Sequence, residues 1–440
     1  MTRAIELPRK TVANDDPIQI GILGSGPAAL MAALSLEAYF RNGEVDITLI
    51  DRSTGATAFP GVGFGIQERA CRALERIGQL EPAMIRANPC TEIAFYNSRL
   101  RKRFRSIFLN PLYTRSVVSH EFLADIASLL RTTAVLRGHA VERIVALPDG
   151  RIDVMGQSGG LPFEMQFDLL IAADGVHSVA RQEFFPGHAT THDRGFSYIS
   201  MVADGTGWDM PVSFLDRANG GRSELIMGSI ATVTLFPLAK NRLALGVGFD
   251  HRIRNELWAS HGLDGAMPWT DIPAERRRSI AETLAKDTDD ADLVRALDLI
   301  DDWNGDQIHF RAMLDTDPLG SPYPHTPGNS IVIGDSAYTT PTIGMGASLA
   351  IEDAEALVAA IHGSHCWESR ELFLATVKER ALESFAKRRV PVWHDLIRRA
   401  RAAAVGNFIE VGRKRRFAIG MQVPRQPPAM SSSRFESALE

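Results

Sequence analysis

The segment Ile18–Arg52 constrains this chain more than any other part of it. Ile18 to Leu23 is an unbroken apolar run rich in β-branched residues, the pattern of a strand buried on both faces. It ends at Gly24-Ser25-Gly26. From Pro27 to Tyr39 the sequence is rich in Ala and Leu and reads as a helix. Val45–Arg52 then reads as a second buried strand. The order predicts a strand–helix–strand unit with parallel strands. Within its turn, Gly24 permits the sharp reversal, Gly26 leaves room for a pyrophosphate beside the backbone, and Ala29 lets helix and strand pack closely. The helix start, Pro27 and Ala28 included, aims free N–H groups at that position. Asp51, followed by Arg52, stands where a carboxylate meets the hydroxyls of an adenosine ribose.

The chain has 440 residues, enough for two or three domains. A net charge of −5 excludes a generally basic protein and argues against a nucleic-acid partner. Cys71, Cys90 and Cys366 lie far apart and form no CxxC pair, so neither a structural metal site nor a disulfide framework is expected. The opening MTRAIELPRKTVANDD lacks the apolar run of a signal peptide, and no stretch is apolar enough for a membrane span. A cytoplasmic protein is the expectation, as a monomer or homodimer.

Further along, LRGHAVERIVALPDGRIDVMGQ alternates around an Asp-Gly turn and predicts a hairpin. Phe167–Gly175 is another buried strand ending in a tight turn. Between about 190 and 260, FSYISMVADG, RSELIMGSIATVTLFPL and RLALGVGFD predict short strands of a separate, mainly antiparallel sheet. A helical stretch spans 273–299. Ser330–Tyr338 returns to a buried strand, 348–361 is a helix, and 369–405 is helical and basic. Residues 378–416 hold 12 Lys/Arg against 4 Asp/Glu, which reads as a solvated basic helix. Residues 1–16 and 424–440 are expected to be flexible.

Two more constellations carry chemistry. One is Asp168-Leu-Leu-Ile-Ala-Ala-Asp174-Gly175-Val-His-Ser178-Val-Ala-Arg181. The other is Gly334-Asp335-Ser336-Ala337-Tyr338, then Pro341, Gly344, Gly346 and a helix with Glu352-Asp353. The order of GxGxxA, DGxxSxxR and GD followed by a Pro/Gly loop and helix resembles the single-component (class A) FAD-dependent aromatic monooxygenases, of the para-hydroxybenzoate hydroxylase type. Gly61-Val-Gly63-Phe-Gly65-Ile66, followed by a helix, is similar to that family's flavin-side loop. The resemblance covers roughly residues 18–365.

The resemblance implies an α/β fold. A Rossmann-like FAD-binding domain would comprise 17–88, 110–189 and 296–365. An inserted, mainly antiparallel substrate domain would comprise 89–109 and 190–295, followed by C-terminal helices at 366–423. It implies non-covalent FAD, with NAD(P)H as co-substrate and dioxygen as oxidant, and hydroxylation or epoxidation of a small planar molecule through a flavin hydroperoxide. Gly63, Gly65, Ile66, Asp174, Gly175, Asp335, Gly344, Gly346, Ala347 and Ser348 are the matching cofactor positions. A carboxylate at Asp335 suits ribityl hydroxyls, and the helix from Gly346 presents its positive end to a reduced flavin.

The chain departs from the family at several points. Tyr338 stands where the family often has His, Met345 where it has Gln, and Ser348 where it has Asn. The family's FAD-contacting Arg falls at His120, with Arg115 just before it, so either is the candidate. No catalytic residue is assigned. His309 and Arg311, on the strand before the GD strand, and Tyr338 are the candidates by position.

No second GxGxxG precedes a helix, which argues against a separate nicotinamide domain. No two tryptophans stand two positions apart, as a flavin halogenase requires. A reductase or oxidase on the same fold, or a flavin-binding isomerase, remains the alternative. Leu225, Met227, Thr232, Thr234 and Phe236 suit a planar apolar ligand, and no Arg cluster in the substrate domain demands a carboxylated one.

Overall fold

A computed structural model describes residues 16–55, 62–97, 102–188, 190–204, 221–228, 230–265, 267–288, 308–317, 326–340 and 345–404, with positions 294, 297 and 300. The chain begins with β1 (Ile18–Leu23), α1 (Pro27–Tyr39), β2 (Val45–Asp51), β3 (Gly63–Ile66), α2 (Glu68–Arg76), α3 (Leu80–Ala83), β4 (Asn88–Pro89), β5 (Glu92–Asn97) and β6 (Lys102–Phe108). There follow β7 (Arg115–Val118), α4 (Ser119–Leu129), β8 (Ala134–Arg137), β9 (His139–Ala146), β10 (Ile152–Ser158), β11 (Leu161–Phe167), β12 (Leu169–Ala172) and α5 (Val179–Phe184). Next come β13 (Thr191–Asp204), β14 (Arg222–Met227), β15 (Thr232–Leu238), β16 (Arg242–Asp250), α6 (His251–Ser260) and α7 (Ala274–Lys286). The described chain closes with β17 (Ile308–Thr316), β18 (Ser330–Val332), α8 (Gly346–Gly363), α9 (Arg370–Val377) and α10 (Glu383–Ala404).

The fold is α/β. Five parallel strands run in the order β18-β12-β1-β2-β8. Ile18, Ile20, Ile22, Leu169, Leu170 and Ile171 are buried, as strands covered on both faces require. α1 has no polar stripe: all residues from Ala28 to Leu36 are buried, which fits a helix enclosed between this sheet and α8. The predicted hairpin is β9–β10, extended by β11 into a three-stranded antiparallel sheet.

The second main sheet has seven strands in the order β17-β13-β16-β15-β14-β5-β6, antiparallel except where β14 meets β5. One face is packed by α6 and α7. There Trp269 stacks on Phe310 at 5.6 Å between ring centroids, with Trp258 and Phe249 beside Phe310. Period-2 alternation sends Tyr198, Thr234, Gly246 and Arg311 to the opposite face, toward the rest of the molecule.

The two sheets meet through a short sheet of β3, β7 and β4. A side chain at Gly63 would overlap Ala244 of β16, so the approach there is backbone-close. Val118, Leu238 and Ala244 form a small shared core. Arg242 of β16 holds Glu121 of α4 with both guanidinium ends, at 2.6 and 2.9 Å.

The structure alters two expectations. Residues 308–316, grouped from sequence with the FAD-binding domain, form β17 and pair with β13 of the seven-stranded sheet. The cause is register: Arg311 lies opposite Tyr198 and His309 opposite Ser200, although β18 just afterwards returns to the parallel sheet. The basic segment is not simply solvated either. In α10, Arg389 pairs with Asp353 and Glu352 of α8, and Arg401 with Asp315 and Asp317 at the end of β17. These charges tie the C-terminal helix to α8 and to the end of β17 in the seven-stranded sheet. Residues 405–440 lie outside the described residues.

Candidate functional site

The C-terminal edge of the parallel sheet is built by three loops. After β1, Gly24 takes φ +98°, and a side chain there would strike the Ala173 carbonyl oxygen. Gly24 therefore serves the turn. Gly26 is different: a Cβ there would meet nothing within 4 Å. It caps α1 with Pro27 next in line, so its bare surface fronts the helix start and its unused N–H groups. Ala28 and Ala29 are buried beneath, and Ala28 lies against Gly334, whose φ is +60°. At the end of β2, Asp51 Oδ1 accepts a 2.7 Å bond from the Ser53 N–H and another from the Ser53 hydroxyl. Its other oxygen is left for a ligand, and Arg52 is exposed beside it.

The loop after β12 locks onto the loop after β18. Asp174 Oδ2 accepts from the Val179 N–H at 2.7 Å, and Oδ1 accepts from the Ser336 hydroxyl at 2.9 Å. Ser178 caps α5 by accepting from the Arg181 N–H. The Arg181 side chain is buried and donates to the carbonyls of His188, Ser336, Ala337 and Asp317. DGxxSxxR is thus a brace for the GD loop, and the Asp174 carboxylate is spent inside it. Gly175, at φ +85° with open space around it, remains on the cleft side.

Asp335 is exposed to solvent, yet surrounding protein removes enough water to raise its pKa above the ordinary aspartate value, and nearby Arg311 offsets this only in part. Arg311 is likewise exposed, and burial depresses its guanidinium. Exposed but desolvated side chains line recesses. These two interact electrostatically from different sheets, Asp335 after β18 of the parallel sheet and Arg311 on β17 of the seven-stranded sheet.

α8 brings its N-terminus to β3. Ser348 Oγ accepts from the Gln67 N–H at 2.9 Å and bonds weakly to the Gly65 carbonyl at 3.5 Å. A Cβ at Gly346 would meet nothing within 4 Å, and Ala347 is partly exposed. Ile66 is buried and pairs with Arg115 across β3–β7. Gly61, Pro341 and Gly344 lie outside the described residues.

Arg115 and His120 differ. Arg115 is half-buried beside Cys71, and its side chain makes no hydrogen bond or ion pair to a described residue. His120 has a buried Nδ1 without a partner among the described residues, and burial lowers its pKa. Its charged neighbours are Glu121, Arg242 and Arg86, which belong to the contact between sheets.

Tyr338 is removed from the cleft. It is 1% exposed, donates to Asp353 Oδ2 at 2.7 Å and stacks on Trp393 at 5.1 Å. The site gains instead Tyr198 and Gly246, absent from the sequence reading. The signal for them was alternation in FSYISMV and the side-chain-free Gly246-Val-Gly248. Among the described residues no group of His, Cys, Asp and Glu could hold a metal ion, and no helix is long and apolar enough to cross a membrane.

The residues suit a phosphate-bearing dinucleotide: a Cβ at Gly26, Gly175 or Gly346 would meet nothing within 4 Å, Gly26 and Gly346 stand at the starts of two helices, and Asp335 is an exposed carboxylate after β18. Comparison with known proteins agrees. The family model of an FAD binding domain matches residues 17–234. A FAD-dependent monooxygenase, ntnA, of Nectria sp is 23% identical over 198 residues, 40% of this chain but 25% of that relative. The chain thus spans about a quarter of that relative's length. Klebsiella pneumoniae HpxO, complexed with FAD and uric acid, superposes with a TM-score of 0.67 at 17% identity, covering 90% of each chain. P. aeruginosa PqsL, in complex with 2-aminobenzoylacetate, gives 0.64 at 19% identity, covering 89% of this chain and 96% of that one. At these identities the likeness to the two structures is one of fold.

Proposed function

We propose that this chain, whose residues 17–234 match the FAD binding domain family model, is a FAD-dependent monooxygenase of the class A type that oxygenates a small planar molecule, using NAD(P)H and dioxygen. The observation that carries this reading is the bare backbone at Gly26 in front of α1, at the same end of the parallel sheet as Asp335 after β18. Bound FAD would supply hydride acceptance from NAD(P)H and reaction with dioxygen.

The chain's own residues bind, orient and enclose. Gly24 to Ala29 cradle the pyrophosphate, with Gly175 beside it. Asp51 takes the adenosine ribose and Asp335 the ribityl hydroxyls. The first N–H groups of α8, from Gly346 and Ala347, face the ring edge where negative charge grows on reduction. Gly63, Gly65 and Ile66 of β3 would hold the flavin from the side of β3. Ser348 joins β3 to α8 and so fixes the spacing between these two walls. Between Arg115 and His120, Arg115 is taken as the FAD contact, because its guanidinium lies by β3 and α2 with no hydrogen-bond or ion-pair partner among the described residues. We assign 17–88, 110–189 and 326–365 to FAD binding, and β5, β6 and β13–β17 to the substrate.

The face of the seven-stranded sheet turned away from α6 and α7 would present Leu225, Phe236 and Tyr198 to the substrate, with Thr232 and Thr234 buried among them. HpxO with uric acid and PqsL with 2-aminobenzoylacetate are similar proteins whose ligands set the size class expected here. The sequence holds no second GxGxxG before a helix, so NAD(P)H and oxygen would reach the same flavin in turn. Excluding water from the closed cleft protects the reactive stage.

The test is stopped-flow flavin bleaching by NAD(P)H, with and without members of a panel of phenols, indoles and quinolones. The correct substrate should accelerate bleaching, and oxygenated product should follow. Equal rates across the panel remove substrate gating. Peroxide without oxygenated product overturns the monooxygenase reading in favour of an oxidase.

A further inference from the structure

The chain enters the seven-stranded sheet for the second time through β13, and this strand is interrupted near its start. β13 advances from Asp193 to Ser197 while its partner β17 steps only from Leu314 to Ala312, so residues 194–196 bulge out of the ladder. Gly195 makes the bulge possible with φ +79°. Asp193 holds it, its Oδ1 accepting from the Gly195 N–H at 2.9 Å. The neighbours of Asp193 are committed elsewhere. His192 bonds to Asp317 Oδ2 at 2.8 Å, and Arg194 pairs with the buried Asp315.

His251, the first residue of α6, touches both ends of the bulge. Its ring bonds to the Phe196 carbonyl at the far end. Its Nε2 is buried, has no hydrogen-bond partner among the described residues, and lies 3.5 Å from Asp193 Oδ1 at the near end. The bond to Phe196 therefore comes from Nδ1, which must carry the ring proton. In that tautomer Nε2 turns a lone pair toward a carboxylate oxygen. The two gain nothing from each other, and Oδ1 stays with the Gly195 amide. A proton on Nε2 reverses this. Imidazolium and carboxylate attract, and a pair with both partners charged outcompetes a backbone amide for the same oxygen.

The other charged groups around the ring are engaged or distant. Asp250, the α6 cap, accepts from the Ile253 N–H through Oδ1. Arg254 lies one turn along α6, and Arg252 pairs with Glu256 in solvent. His192, Arg194 and Arg401 share Asp315 and Asp317 at the end of β17. We propose that His251 is an acid-sensitive staple on the β13 bulge: neutral, it leaves Asp193 to hold Gly195, and protonated, it takes Asp193 and frees the bulge. Tyr198 follows just after the bulge on the opposite face of the sheet, so the release reaches that face. Burial, ahead of the opposing pull of Asp193, sets the ring below its ordinary 6.5, so the folded chain keeps the neutral form at neutral pH. The unfolded chain takes up this proton first. Stability therefore falls as pH drops through 6.5 toward the folded value.

The experiment uses the full chain with FAD added. Hydrogen exchange of the Gly195 amide, corrected for the intrinsic pH dependence of exchange, is compared at about pH 7.5 and about pH 5.5. Protection in wild type should fall by about tenfold on acidification, the net worth of one hydrogen bond. His251→Phe keeps a ring that cannot take a proton, and should show equal protection at both pH values. Asp193→Asn can still accept from Gly195 through its side-chain oxygen but carries no charge, and should also lose the pH response. NMR of isotope-labelled histidine should place the His251 proton on Nδ1 at the higher pH. A pH response that survives in either variant, wild-type protection that does not change, or a proton on Nε2 overturns the proposal. Should a variant fail to fold, wild-type exchange and the histidine NMR still decide it. The readout is exchange, so a chain that shows this response but forms no oxygenated product keeps the staple and loses only the monooxygenase reading.

Discussion

The two sheets of this protein present ligands with different kinds of surface. At the parallel sheet the recognition surface is backbone: three short loops, after β1, β12 and β18, each contiguous in sequence. At the seven-stranded sheet it is a pleated face to which β13, β15, β16 and β17 each contribute every second side chain. A backbone site needs glycine at fixed spacing, because only glycine permits the turn or the close approach. It therefore writes a motif into the sequence. A pleated face needs only alternation, and almost any set of side chains satisfies it. The first surface is suited to a shared cofactor, the second to a ligand that differs from protein to protein.

The largest expected effect comes from breaking the backbone surface without breaking the fold. Gly26→Val puts a branched side chain into space where the protein itself has nothing within 4 Å. FAD retention should fall by more than about 100-fold, the scale at which several bonds to the phosphates are lost together. The apoprotein should melt as wild type does. Absorbance of bound flavin after gel filtration, with a melting curve of the apoprotein, checks both. Stoichiometric FAD in the variant would refute the pyrophosphate assignment. Gly24→Ala sharpens the point from the other side. Its methyl would overlap the Ala173 carbonyl at a backbone angle of +98°. Strain and overlap should cost roughly 2–4 kcal/mol of stability, measured by denaturant unfolding of the apoprotein. Two glycines of one motif should thus fail in different ways.

This contrast explains what could be read beforehand. The strand–helix–strand unit, the hairpin around Gly150 and the parallel sheet follow from apolar runs and turn residues, all local signals. Asp335 was legible because a carboxylate right after a buried strand is unusual. Asp174 misleads for the same reason: its motif is real, but its work is to brace the loop of Asp335 through Ser336. Tyr338 was misplaced because position in a motif says nothing about which way a side chain turns, and the residue that captures it, Asp353, lies on the next helix. Arg311 was seen, yet its neighbours were not. Its pairing with Tyr198 joins strands more than 100 residues apart, and no local pattern announces that register.

Asp335 should give the next effect. Asp335→Ala should weaken FAD binding by about 1–3 kcal/mol, the range for a charge-assisted hydrogen bond. An unchanged dissociation constant would place the ribityl chain elsewhere. The apoprotein adds a pH signature. Burial raises the folded pKa of Asp335 above its ordinary 3.8, so ionisation is penalised in the folded state. That penalty is absent below the unfolded value and grows as pH rises through the window above it, up to the folded value. Asp335→Asn should therefore gain stability over wild type as pH rises through that window, and match it at lower pH. A difference that shrinks as pH rises would show that the carboxylate is stabilised rather than strained in the apoprotein.

The smallest effect tests whether the face of α8 turned away from the cleft is purely structural. Tyr338 donates to Asp353, which also receives the Trp393 indole N–H at 2.8 Å and pairs with Arg389. Burial, ahead of the opposing pull of Arg389, raises the Asp353 pKa to about 6. This acid therefore needs each of its donors to stay ionised. Tyr338→Phe keeps the ring stacked on Trp393 and removes one donor. Stability should drop by about 1 kcal/mol, the typical net value of a hydrogen bond. The folded pKa of Asp353 should rise further, so the loss should be larger at pH 8 than at pH 5, where the acid is increasingly protonated in either protein. FAD affinity and the rate of flavin reduction should not move, since the hydroxyl is buried and held by Asp353 of α8. Denaturant melts at the two pH values, set beside FAD titrations, separate the outcomes. A change in flavin affinity or reduction rate, with stability intact, would return Tyr338 to the active site.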